Sequence, residues 1–75
     1  MKTIDTLIHI NDDLDNTTKG KIENELKTLQ GVEKSAFHKT KPHLLLVSYD
    51  TEKVSAHRLL HKVIEKGYKA ELIGL

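Results

Sequence analysis

The chain of 75 residues contains no Cys and no Trp, and it has only two Tyr and one Phe. Without Cys, the protein cannot form a disulfide framework, a thiolate metal site, a Cys nucleophile or an iron–sulfur cluster. No apolar run approaches the ~20 residues of a membrane-spanning helix, and no hydrophobic signal segment follows Met1. We therefore expect a soluble cytoplasmic protein that does not insert into a membrane.

Charge is nearly balanced, with 12 basic and 11 acidic residues and a formal net charge of +1. This balance gives no electrostatic reason to expect binding to nucleic acid or to an anionic membrane. The two signs are nevertheless separated, because residues 1–16 carry one Lys and four Asp, whereas residues 51–69 carry five basic and two acidic residues. The separation indicates two solvated faces of opposite sign, or a polarised surface that docks a partner.

The spacing of apolar residues predicts four strands and two helices in the order βαββαβ. Gly31 and Gly67 stand where left-handed residues commonly end helices. The order favours an α+β ferredoxin-like sandwich, in which a four-stranded antiparallel sheet carries two helices on one face, within a single domain spanning residues 1–75. The predicted strands are residues 3–10, 32–38, 43–49 and 68–73, and the predicted helices are residues 17–29 and 55–66.

Three segments of the chain match motifs that occur together in one family of small domains. Residues 26–32, LKTLQGV, are similar to the L-x-x-L-x-G-V end of that family's first helix. Residues 47–50, VSYD, followed by Val54 and Ser55, resemble its third strand and the entry to its second helix. Residues 63–68, VIEKGY, resemble its I-x-x-x-G-Y ending. The chain thus resembles the heavy-metal-associated domain, the small copper-chaperone module, and the resemblance implies that family's fold over most of the chain.

The metal-binding motif of that family, G-M-x-C-x-x-C, is missing. Its positions fall on residues 12–18, DDLDNTT, so that Asp15 and Thr18 stand where the two thiolates would be. Carboxylate and hydroxyl oxygens are hard donors unsuited to Cu(I), which excludes copper transfer by the family's mechanism. Asp12, Asp13 and Asp15 either complement the helix dipole or serve as accessory metal ligands. They do not form an EF-hand, because Asn16 and Ile22 occupy its Gly and Glu positions.

The His residues are the candidate ligands for a transition metal. His57 and His61 are spaced i, i+4 on the second helix, which allows them to chelate one Zn²⁺ or Cu²⁺. His9 and His38 should flank the middle strand about 9–10 Å apart, too far to share an ion within one subunit, although two copies could bring them together. The alternative for both pairs is a surface position without metal. No cofactor is required by this interpretation, and Zn²⁺, Ni²⁺ and Cu²⁺ are the candidate ions.

Alternation along the strands divides the apolar residues between two faces. Because no helix covers the second face in the family's strand order, that face should expose an apolar patch. Self-association as a two-fold homodimer is its simplest use, and docking of another protein is the alternative. Scattered apolar surface, or a strand parity shifted by one residue, would remove the patch. The face toward the helices should hold Ile8, Ile10, Phe37, Leu45 and Val47; the open face should hold Leu7, His9, Ala36, His38, Leu44, Leu46 and Ile73, with Leu7, Leu44, Leu46 and Ile73 as the interface.

Other functions of this topology fit the residues poorly. RNA-recognition modules need aromatic residues on the open face, and Phe37 and Tyr49 are predicted to point inward. Acylphosphatase-type enzymes share this element order but need an Arg in the first loop. In this chain, the first loop is acidic and contains no Arg. Ser35, Ser48 and Ser55 have no base and orienting acid that the pattern places beside them. The sequence therefore favours a non-enzymatic binding and assembly module, with a metal-binding protein that uses His ligands as the alternative.

Overall fold

The computed structural model describes residues 2–73. Its elements follow the order βαββαβ, and all the strand pairs are antiparallel, within one sheet of order β2-β3-β1-β4. The predicted α+β ferredoxin-like architecture is confirmed. The strands are β1 (Thr3–Ile10), β2 (Val32–Phe37), β3 (Leu44–Asp50) and β4 (Ala70–Leu72), and the helices are α1 (Asn16–Lys27) and α2 (Ala56–Glu65).

Both helices begin at a side-chain cap and end slightly earlier than the apolar spacing predicts. The Asp15 carboxylate caps α1, and the Ser55 hydroxyl caps α2 by accepting from the N–H of Arg58. Each cap offsets unpaired N–H groups of the first turn. At the end of α1, the N–H of Leu29 donates to the carbonyl of Leu26, three residues back, so the last turn tightens before the chain leaves the helix.

The hydrophobic core lies between one face of the sheet and the two helices. Alternate residues of β1 and β3 point into it, and α1 and α2 each contribute an apolar stripe. Phe37 packs against this cluster from β2, and Tyr49 is buried within it, so the predicted inward orientation of both rings is confirmed. The remaining buried hydrophobic residues are Ile8, Ile10, Ile22, Leu26, Leu45, Val47, Leu59 and Val63.

A polar contact holds the edge strand β2 against α1. The Glu23 carboxylate accepts a hydrogen bond of 2.8 Å from the backbone N–H of Phe37. The Lys19 ammonium lies 5.6 Å from the centre of the Phe37 ring, within the range of a cation–π contact. These contacts fix the edge of the sheet that is farthest from β4. No helix among residues 2–73 is long and apolar enough to cross a membrane.

Candidate functional site

The open face of the sheet is the surface that the two helices leave uncovered in residues 2–73. Strand register aligns a row of apolar side chains across it: Ala36 pairs with Leu46, and Leu46 pairs with Leu7. The N–H of Ile73 donates to the carbonyl of Leu7 and brings a fourth member to the row. We call these four residues the apolar row. The predicted strand parity is confirmed by the burial of Ile8 and Leu45, the neighbours of this row in sequence, on the opposite face.

Side chains of the apolar row are less exposed than the sequence suggested. Ile73 is 48% exposed, whereas Leu7, Leu46 and Ala36 are half-buried, as is Leu44 at the next outward position of β3. The expected apolar patch is therefore only partly exposed at its three Leu residues. Neighbouring side chains cover part of their surface, because directly opposed residues on neighbouring strands lie only about 4.5–5.5 Å apart at Cβ. The face is nevertheless apolar at its centre and lies away from the core.

Polar residues border the apolar row on both sides along the strands. On one side, the Ser48 hydroxyl donates to the Asp5 carboxylate, and Lys34 pairs with Ser48 in the register. On the other side, His9 stands between Leu44 and Glu71. An apolar centre with a polar rim is the usual composition of a protein–protein contact surface.

The His43 ring, in the turn before β3, contacts His9 on the open face. The sequence did not indicate this contact. The rings of His9 and His43 stack with their centres 5.7 Å apart. The Nδ1 atom of His43 lies 2.8 Å from the carbonyl oxygen of Ile10. Because a carbonyl only accepts, Nδ1 carries the proton, and Nε2 of the neutral ring is left as an acceptor. That Nε2 lies 3.7 Å from the carboxylate of Asp13.

His9 has an unpaired ring nitrogen near His43 and Asp13. Within the described part of the chain, its buried Nδ1 has no hydrogen-bond partner. The cluster of His9, His43 and Asp13 therefore combines a predicted site residue of β1, the first residue of the predicted third strand and a residue of the acidic loop. Alternation along the strands placed His9 and Leu44 on one face, but the contact between His9 and His43 depends on the strand register, which local patterns do not contain.

The other predicted metal ligands are separated. His38 lies at the edge of the sheet, where its Nδ1 accepts from the backbone N–H of Thr40 at 3.2 Å. His57 and His61 are both exposed on α2, and the Nδ1 of His61 lies 3.3 Å from the carboxylate of Glu65. Across residues 2–73, no cluster of three or more His, Asp or Glu side chains is arranged to hold a metal ion.

The acidic loop begins α1. The Asp15 carboxylate accepts a hydrogen bond of 2.8 Å from the N–H of Thr18. Hydrogen bonding from the Thr18 side chain, and then from its backbone N–H, lowers the pKa of that carboxyl below its ordinary value of 3.8. Asp13 is fully exposed, and Asp12 is partly buried. Asp15 and Thr18 thus form the N-terminal cap of α1.

Comparison with known proteins supports the fold. No protein-family model matches the sequence, and no curated protein matches it. Among solved structures, the N-terminal domain of a potential copper-translocating P-type ATPase from Bacillus subtilis, in the Cu(I)-loaded state, is similar with a TM-score of 0.86 at 23% identity, covering 97% of this chain and 90% of that one.

Two further structures have the same fold. Oxidized MerP from Ralstonia metallidurans CH34 has a TM-score of 0.84 at 15% identity, covering 96% of this chain and 99% of that one. The apo copper chaperone of Enterococcus hirae has a TM-score of 0.81 at 25% identity, covering 91% and 98%. The chain therefore has the fold of heavy-metal-associated domains, while its own sequence contains no cysteine.

Proposed function

We propose that the protein is a non-enzymatic binding and assembly module whose open sheet face packs against a second copy of the chain. The observation that carries the proposal is the apolar row, which crosses the whole sheet on the side away from the helices. Burying apolar surface gains roughly 25 cal/mol per Å², so a second sheet seated on this row is favoured. Two such faces pack about 10 Å apart, as in a β-sandwich.

The size of the face sets the strength expected of the dimer. Four strands spaced about 4.8 Å apart, each contributing roughly 20 Å of length, give a projected area of about 400 Å². A standard stable interface buries about 800 Å² on each partner. The half-buried Leu residues reduce the apolar gain further. We therefore expect a dimer that forms and dissociates with concentration, with a dissociation constant in the micromolar range or above.

A non-enzymatic role is supported by the separation of the groups that catalysis would need. The Ser48 hydroxyl donates to Asp5, and both lie at one end of the open face. His9 lies at the other end, four residues along β1 from Asp5, which is about 13 Å. A nucleophile, a base and an orienting acid must lie within hydrogen-bond reach of one another.

The experiment is sedimentation equilibrium on the wild type and on the double variant Leu44→Ser, Leu46→Ser. The wild type should show an average mass that rises with concentration, and the variant should remain monomeric. Ile64→Ser is the matched control, because Ile64 is 45% exposed on α2, away from the open face. Equal association of all three proteins would contradict the proposal, as would a monomeric wild type at every concentration.

A second candidate function is the binding of a divalent transition metal through His43 and Asp13. The two donors of a tetrahedral Zn²⁺ site lie about 3.3 Å apart when each is about 2.0–2.1 Å from the ion. The 3.7 Å separation of His43 Nε2 and Asp13 Oδ1 is close to that span, and Asp13 is fully exposed and free to adjust. His9 adds a second imidazole ring nearby. Isothermal titration with ZnCl₂, which should give saturable binding, tests this candidate.

A further inference from the structure

We infer that two copies meet face to face about a two-fold axis that runs parallel to the strands, between β1 and β3, so that Ile73 of each copy sits over Ala36 of the other. This inference rests on the proposed self-association and specifies its geometry. It follows from three features of the open face: the shape of the apolar row, the residues beside it, and the symmetry of the sheet order.

The apolar row has a projecting side chain at one edge and a small one at the other. Ile73 is placed beside β1 by its hydrogen bond to Leu7 and is 48% exposed. Ala36 lies in the same row on β2, the opposite edge strand, and ends at Cβ. A branched side chain at one edge and a shallow depression at the other are complementary if the partner sheet is reversed from edge to edge.

Rotation about an axis parallel to the strands produces that reversal. In the order β2-β3-β1-β4, it exchanges β3 with β1 and β2 with β4, while each row keeps its level along the strands. Leu46 then faces Leu7 of the second copy, and Ala36 faces Ile73. Packing with the projection in the depression fills space on both sides of the axis and leaves no void at the edges.

Residues beside the row also match under this rotation. At one level, Leu44 faces His9 and His38 faces Glu71, which places an acidic group opposite an imidazole. At the other level, Asp5 faces Ser48, so polar residues meet polar residues. Each apolar side chain keeps an apolar or aromatic-ring partner, and the carboxylate of Glu71 faces an imidazole.

The other two-fold arrangement, with its axis across the strands, is disfavoured by the same residues. It places every member of the apolar row opposite the same residue of the second copy, so that Ile73 meets Ile73 and Ala36 meets Ala36. Two projections then collide at one edge, while a void remains at the other, and overpacking and voids both cost stability. It brings Lys34 of one copy against His38 of the other, but it also places His9 opposite Asp5. The side-chain sizes of Ile73 and Ala36, rather than the charges beside the row, therefore separate the two arrangements.

A charge pair placed at the two edges distinguishes the arrangements. The substitutions are Ala36→Lys and Ile73→Glu, singly and together, studied by sedimentation equilibrium. Within one chain, the two positions are three strand spacings apart, about 14 Å, and do not form an ion pair. Each single variant should weaken dimerisation at least about tenfold, because it buries one unpaired charge at each of two symmetric contacts. The double variant should recover to within about threefold of the wild type.

Failure of the arrangement and failure of self-association give different results. If the wild type dimerises but the double variant is as weak as the product of the single effects or weaker, the axis across the strands is indicated and the inference is wrong. If the wild type remains a monomer throughout, the proposed function fails, and the inference fails with it. Circular dichroism of each variant checks that the sheet is intact.

A distance measurement on a protein with an unchanged open face gives a second test. Because the chain lacks Cys, a nitroxide on Lys39→Cys labels one exposed position in the turn between β2 and β3. The inferred axis places both labels at the same end of the dimer. The alternative axis places them at opposite ends, farther apart by about one strand length of roughly 23 Å. A dominant long distance in electron–electron double resonance would overturn the inference.

Discussion

The Asp15 carboxylate accepts a hydrogen bond of 2.8 Å from the backbone N–H of Thr18, which joins the two positions where the resemblance to heavy-metal-associated domains places metal-binding thiolates. The contact is a helix N-cap. Residues that would hold an ion in the copper proteins here satisfy an unpaired backbone donor and set where α1 begins. The chain has the fold of these domains, but its residues at this end cap α1.

Removal of the Asp15 cap should lower the stability of the folded state by an amount that depends on pH. Asp15→Ala should lower Tm, and Asp15→Asn should retain most of the stability because its amide oxygen still accepts from Thr18. The folded-state pKa of Asp15 lies below its ordinary value of 3.8, so its contribution is present above that pH. The contribution is lost as the pH falls through the lower, folded pKa. Thermal melts from pH 7 to pH 2 measure this, and identical profiles for wild type and Asp15→Ala would contradict it.

Gly31 is required by both backbone conformation and space. Its φ is 98°, and a Cβ there would lie 2.8 Å from the Cβ of Lys53 and 3.1 Å from a methyl group of Val54. Gly31→Ala should therefore cost about 2–3 kcal/mol in urea unfolding. Gly67 is the matched control, because its φ is 97° but a Cβ there would meet no atom within 4 Å of the described structure. Gly67→Ala should cost only the backbone strain, about 1 kcal/mol, and equal losses at both positions would refute the steric part of the argument.

Glu23 should contribute more to stability than its neighbour on the helix. Its carboxylate bonds the Phe37 N–H in a partly buried position, and a hydrogen bond to a charged group is worth about 1.5–3 kcal/mol. Glu23→Ala should lose about that amount in urea unfolding, and Glu23→Gln should lose less. Glu25 pairs with Lys62 and Lys66 at the surface, so Glu25→Ala should cost under about 1 kcal/mol. The reverse order of the two Ala variants would show that the edge contact is unimportant.

Zinc binding should depend on His43 more than on His57 and His61 of α2. His43→Ala should weaken Zn²⁺ binding at least about tenfold, and the double variant His57→Ala, His61→Ala should leave it unchanged. The measurement is calorimetric titration of each variant with ZnCl₂. Loss of binding only in the helical variant would assign the metal to α2 instead.

Local patterns in the sequence were sufficient to predict most of the elements. Alternation predicted β1 with its observed bounds and assigned Ile8 and Leu45 to the core, because a strand with one buried face admits only one parity. The fourth strand was predicted over residues 68–73, but β4 is shorter and spans Ala70–Leu72. The bounds of an edge strand depend on where it pairs with its neighbour, which the sequence pattern does not show. Its register begins where Ala70 meets Ile10.

The site required information that local patterns do not contain. The contact between His9 and His43 depends on the turn before β3, and the orientation of the His43 ring depends on the carbonyl of Ile10, 33 residues away in sequence. The exposure of Leu46 depends on its neighbours across two strands. Such features arise from tertiary packing, so the sequence predicted which residues share the open face but not how deeply each is covered.

Self-association through the open face can be measured by sedimentation velocity of the metal-free wild type over a range from about 10 µM to about 1 mM. The average mass should rise with concentration from the monomer value of 8.5 kDa toward twice that value. Equimolar Zn²⁺ should not be required for the rise. A single species of 8.5 kDa at every concentration, with or without Zn²⁺, would show that the open face does not mediate self-association.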